Sequence, residues 1–140
     1  MDLEFIANNI DMKYYFSKKL TDVSFEQALQ KVEEALQAEG FGVLTDINVQ
    51  ATFKKKLDVD FQKYRILGAC HAPSAHRALQ AEDKVGTMLP CNVIVQELED
   101  GRIEVAAINP IASMQAVENE TLGGVATEVT KMLKRVVEMV

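Results

Sequence analysis

Tryptophan is absent from the 140-residue chain, proline occurs three times, and cysteine and histidine occur twice each. Two cysteines exclude a disulfide-built scaffold, which relies on several bridges to replace a core too small to hold by itself. Positive charge is also scarce: 15 basic against 21 acidic residues leave a net charge of −6. A dedicated nucleic-acid binder clusters Lys and Arg to displace condensed counterions, so no nucleic-acid partner is expected. No apolar run reaches the roughly 18 residues of a membrane span, so no membrane partner is expected either. The opening Met1-Asp2-Leu3-Glu4-Phe5 is acidic and lacks the apolar stretch of a secretory signal. With so few cysteines, this makes a cytoplasmic location the expectation. No linker, repeat or low-complexity segment interrupts the chain.

What is present is an ordinary globular composition, 48% hydrophobic and 26% charged. A chain of this length buries about two-thirds of its unfolded surface, enough for one core without staples. Met1 to Met12 show no period and read as an N-terminal tail (residues 1–12), leaving 13–140 as a single domain. Lys13 to Leu20 alternates at period two and predicts a strand. Ser24 with Gln27 three residues later forms a capping box, followed by an apolar stripe at Phe25, Ala28, Leu29, Val32, Ala35 and Leu36. Gly40 ends that helix. Phe41 to Ile47 predicts a second strand. Asn48 caps a short helix, Val49 to about Leu57, whose Lys54-Lys55-Lys56 run suits the negative end of the helix dipole. Tyr64 to Cys70 predicts a third strand. Pro73-Ser74 reads as the cap of a helix from Ala75 to about Glu82. Cys91 to Leu98 and Arg102 to Ile108 predict a hairpin closed at Glu99-Asp100-Gly101. A short helical turn is expected over Ala112 to Val117 and a long amphipathic helix from about Thr121 to Met139. The order β-α-β-α-β-α-β-β-α points to an α/β (α+β) fold. The expected form is a two-layer sandwich: a mixed β-sheet with helices mainly on one face.

All the soft ligands of the protein fall within 22 residues, from Cys70 through His71 and His76 to Cys91. Such side chains hold zinc or another transition metal, and a Cys thiolate is the usual redox nucleophile. Cys70 ends one predicted strand and Cys91 begins the next. Antiparallel neighbours would bring the two thiols to one end of the sheet, and a parallel arrangement would separate them. The bland alternatives are buried cysteines acting as small hydrophobes and a surface His76 on a helix flank. Ser74 is better explained as a helix cap than as a nucleophile, and no G-x-S-x-G elbow exposes it. The spacing matches no zinc-finger pattern, and no catalytic motif makes an enzyme the expectation.

Several stretches carry a resemblance: Ser24-Phe25-Glu26-Gln27-Ala28, Glu39 to Thr45 (EGFGVLT), Ile66-Leu67-Gly68-Ala69-Cys70, His76-Arg77-Ala78-Leu79 and Leu89-Pro90-Cys91-Asn92-Val93. In order and spacing the chain, from about Tyr14 to Val140, resembles the family termed domain of unknown function 302. The resemblance implies a compact α/β domain that forms homodimers and whose biochemical role is unsettled. It also implies that a family site would involve Cys70, Cys91 and Asn92. In the family's pattern Asn and Pro follow the first Cys. Here His71-Ala72-Pro73 stands instead, so a metal role for His71 would be peculiar to this chain.

The resulting expectation is a homodimeric module that binds a small ligand or partner at Cys70, His71, His76, Cys91 and Asn92. One alternative is a thiol-redox or metal protein using Cys70, His71, His76 and Cys91. The other is a purely structural interaction domain.

Overall fold

The computed structural model describes residues 13–140; the expected tail at residues 1–12 lies outside them. The elements run β1 (Tyr15–Leu20), α1 (Phe25–Ala38), β2 (Gly42–Asn48), α2 (Val49–Leu57), β3 (Tyr64–Cys70) and α3 (Ala72–Ala81). A 3₁₀ turn (Asp83–Met88), β4 (Cys91–Glu97), β5 (Ile103–Ile108), α4 (Pro110–Ser113) and α5 (Glu120–Met139) complete the chain.

Local chemistry accounts for the boundaries. Ser24 accepts from the Gln27 amide while the Gln27 side chain accepts from the Ser24 amide, so the capping box forms as expected. At the other end of α1, Gly40 takes a φ of +83°, a conformation that carries no Cβ penalty only for glycine. Asn48 and Asn119 cap α2 and α5 through their side-chain oxygens. The lysines of α2 sit in its last turn, where Lys54 pairs with Asp58 and Asp60 on the surface.

The five strands form one sheet in the order β1-β5-β4-β3-β2, and every pairing is antiparallel. The alternation of helix and strand suggested a mixed sheet; the topology explains the difference. β1 and β2 do run in the same direction, but α1 carries the chain across the whole sheet and places them on opposite edges. They therefore never pair, and the three strands between them arrive antiparallel.

One face of the sheet is covered by α1, α3 and α5. Register puts Leu67, Ala69, Val93, Val95, Ile103, Val105 and Ala107 on this face, all essentially buried. They meet Val32 and Leu36 of α1 and Leu133 and Val136 of α5, all fully buried. Burying each Leu or Val contributes about 1.5–3 kcal/mol. The other face carries Tyr15, Tyr64, Ile66, Asn92, Ile94, Gln96 and Glu104 and has no such layer among the described residues. Phe53 of α2 packs on Phe61, and Phe61 on Tyr64, with ring centroids 5.1 and 6.2 Å apart, which ties α2 to the start of β3.

Candidate functional site

Ala69 of β3 stands opposite Cys91 of β4. The end of one strand and the start of the next therefore meet at one end of the sheet. α3 leaves from this end through His71, and α4 and α5 pack alongside. Between them lies a cavity of about 300 Å³. Its wall is almost wholly apolar, built from residues such as Phe41, Leu89, Pro90, Val125, Ala126 and Val129. The polar exceptions are His71, Ser74 and the two cysteines.

His71 occupies the cap position of α3 but makes no side-chain cap bond. Its Nδ1 instead shares a 2.7 Å hydrogen bond with the Ser74 hydroxyl. Phe41 packs on the ring at 5.6 Å, and a Cβ on Gly40 would come within 3.3 Å of the ring's Cδ2. The ring is thus held from two sides. Ser74, only 2% exposed, does not cap the helix as expected. The helix starts at Ala72, three residues earlier than the sequence suggested, with Pro73 in its first turn. Ser74 then lies inside the helix, and its hydroxyl is satisfied by His71.

Both cysteines are free and border the cavity. Cys91 shares the helix-covered face with Ala69, its register partner, while Cys70, one residue on, belongs to the opposite pleat. Burial, reinforced by the neighbouring Cys70, pushes the Cys91 thiol up to about 11. At neutral pH it is a protonated, weakly polar wall atom rather than a thiolate.

The remaining expected site residues go elsewhere. His76 is exposed on α3 and does not line the cavity, because five residues of helix turn it away from His71. Asn92 is exposed and lines a trough on the open face, because it follows Cys91 in a strand and alternation sends it to the other side. Among the described residues no three His, Cys, Asp or Glu side chains come together to hold a metal ion. The set Cys70, His71, His76 and Cys91 is thus not assembled as a zinc or other metal site: Nδ1 of His71 is engaged and His76 faces outward. Sequence reading missed the contribution of α5. Val125, Ala126 and Val129 are remote in sequence and apolar, and their helical stripe signals a core rather than a wall.

A family model described as "Domain of unknown function DUF302" matches residues 16–140. The chain belongs to this family. The DUF302 domain is similar in fold to the "uncharacterized conserved protein DUF302 from Bacillus stearothermophilus", known from a crystal structure. The two share 24% identity and a TM-score of 0.83, over 90% of this chain and 97% of the other. A comparison with curated proteins finds no match. No helix among the described residues is long and apolar enough to cross a membrane.

Proposed function

We propose that this DUF302 domain is a homodimeric binding module for a small, largely apolar molecule bearing one hydrogen-bonding group. The observation that carries the reading is the cavity at the β3–β4 end, apolar except at the His71–Ser74 couple and the thiols. Binding sites for small molecules combine an apolar wall with a few placed polar groups. The volume is about twice the ~150 Å³ of an engineered cavity that holds benzene. A bicyclic aromatic or a short acyl chain is the matching size, with its polar group directed at His71 and Ser74. Cys70 and Cys91 contribute wall surface. The raised Cys91 thiol supports binding over thiol-redox chemistry, which requires an accessible thiolate. The dimer is supported by apolar side chains left exposed along β2, among them Leu44, which also borders the cavity.

Indole and hexanoate are suitable probes. At a hundredfold excess over its dissociation constant a ligand stabilises the fold by about 2.7 kcal/mol, which a thermal shift resolves. The expected result is that one of them raises the melting temperature of the native domain but not that of Ala75→Phe, whose new ring occupies the cavity. If probes of this size leave the native domain unshifted, and native mass spectrometry of protein from its own host shows no co-purifying mass, the reading is wrong.

A further inference from the structure

We propose that the open face of the sheet carries a separate site for an organic cation, a quaternary or protonated amine, walled by Tyr14, Tyr15 and Tyr64 and drawn by Glu104. The chain has only three tyrosines, and all three border one trough of about 350 Å³, although Tyr14 just precedes β1, Tyr15 opens it and Tyr64 belongs to β3, which is not adjacent to β1. Tyr14 and Tyr15 meet edge to face at 4.9 Å, and Tyr14 is 67% exposed. Ile94 and Ile108 contribute apolar lining, and Asn92, Gln96 and Glu104 supply the polar atoms.

Three features select a cation. Ring faces carry negative potential, and a cation within about 6 Å of a ring centroid is attracted to it. One of the three rings already draws a cation: the Lys13 ammonium lies 5.8 Å from the centroid of Tyr15. Glu104 supplies formal negative charge. Its Oε1 accepts a 2.8 Å hydrogen bond from Gln96, and Lys19, opposite it in register, makes no ion pair with it among the described residues. The net charge of −6 adds a long-range pull of the same sign. Burial first, then Glu104 and Tyr14, raise the Tyr64 phenol, which keeps its ring neutral beside the carboxylate. Lys13 is exposed, and its ammonium competes with an incoming cation for the Tyr15 ring.

The chain contains no tryptophan, so its tyrosine emission reports this trough alone. Titration of the full chain with choline chloride is expected to give a saturable change in emission. The neutral isostere 3,3-dimethyl-1-butanol and equimolar potassium chloride are expected to give none. Glu104→Gln and Tyr14→Ala should each weaken binding by about fivefold, the loss of one cation contact, and Lys13→Gln should tighten it. Tyr14 is 67% exposed, so its variant keeps the fold, which circular dichroism verifies. A choline response that is absent, matched by the neutral alcohol or by potassium chloride, or unchanged in the Tyr14 and Glu104 variants overturns the proposal. The readout does not involve the cavity at the β3–β4 end, so the two sites stand or fall independently.

Discussion

At the scale of single residues, Cys91 and the His71–Ser74 couple decide what the cavity wall can do. The Cys91 thiol rises from an ordinary 9.0 to about 11 because its thiolate would be buried. Its raised pKa in the folded state stabilises the fold fully below pH about 9, and this contribution is lost as pH climbs through about 11. At about 1.4 kcal/mol per pH unit, the loss amounts to roughly 2–3 kcal/mol. Tyr64, also raised, acts in the same direction, so the contribution of Cys91 is read by difference. Urea unfolding of the native domain should therefore weaken more steeply between pH 9 and 11 than that of Cys91→Ala; equal slopes contradict the assignment. The couple makes an opposite kind of prediction. Ser74→Ala removes the hydroxyl partner and leaves Nδ1 of His71 free to meet a ligand, at a cost of about 1 kcal/mol. His71→Leu strands the buried Ser74 hydroxyl and should cost about 1–3 kcal/mol more than replacing both residues, since the apolar pair leaves nothing unpaired. Denaturant midpoints of the two single variants and the double variant test this.

At the scale of elements, most of the chain was legible, and the meeting of the two cysteines was not. Ser24 with Gln27, the period-two strands and the Glu99-Asp100-Gly101 turn are local signals, and local backbone chemistry alone sets them. Whether Cys70 and Cys91 meet depended on strand order, which no local signal encodes. The antiparallel β3–β4 pairing brings them to one end. Strand alternation sends Asn92 to the other face and the rotation of α3 turns His76 away, so adjacency in sequence misled at both. Gly68 shows how a glycine can be fixed by packing instead of by a turn. A Cβ there would lie 2.2 Å from Oγ1 of Thr45 and 2.8 Å from Cγ of Pro90. Neither neighbour is the free end of a flexible side chain. Gly68→Ala must therefore push β2 or the Leu89-Pro90 entry to β4 aside, at an expected cost of about 1–3 kcal/mol. Because Thr45 supplies the closer contact, adding Thr45→Ala should recover part of the loss. Thermal unfolding that finds Gly68→Ala as stable as the native domain would show that the sheet yields there more easily than its packing implies.

At the scale of the whole molecule, the helices protect one face of the sheet, and apolar side chains of β2 stay exposed among the described residues. Val43, Leu44 and Ile47 are 37%, 67% and 48% exposed. A soluble monomer seldom leaves grouped apolar side chains on an outer strand, because an unpaired edge invites a second chain. The bulge between Val43 and Thr45 breaks the regular ladder there, which favours side-chain packing over continuation of the sheet. A second copy related by a two-fold axis at the β2 edge would bury Leu44 against its equivalent, cover part of Ile47 and close the rim of the cavity that Leu44 borders. Dimerisation and ligand binding would then be coupled, since a ligand held by the closed rim would bind the dimer better than the monomer. The double substitution Leu44→Asp, Ile47→Lys keeps the net charge and adds only exposed polar groups, so the fold should persist while the dimer dissociates. Light scattering after size exclusion should report a mass near 31 kDa for the native chain, about twice the 15.6 kDa of one copy, and a monomer for the variant. The variant should also show a smaller thermal shift with the cavity probe. A native chain that elutes as a monomer at every concentration removes the dimer, and a variant that loses the dimer but keeps the full probe response separates assembly from binding.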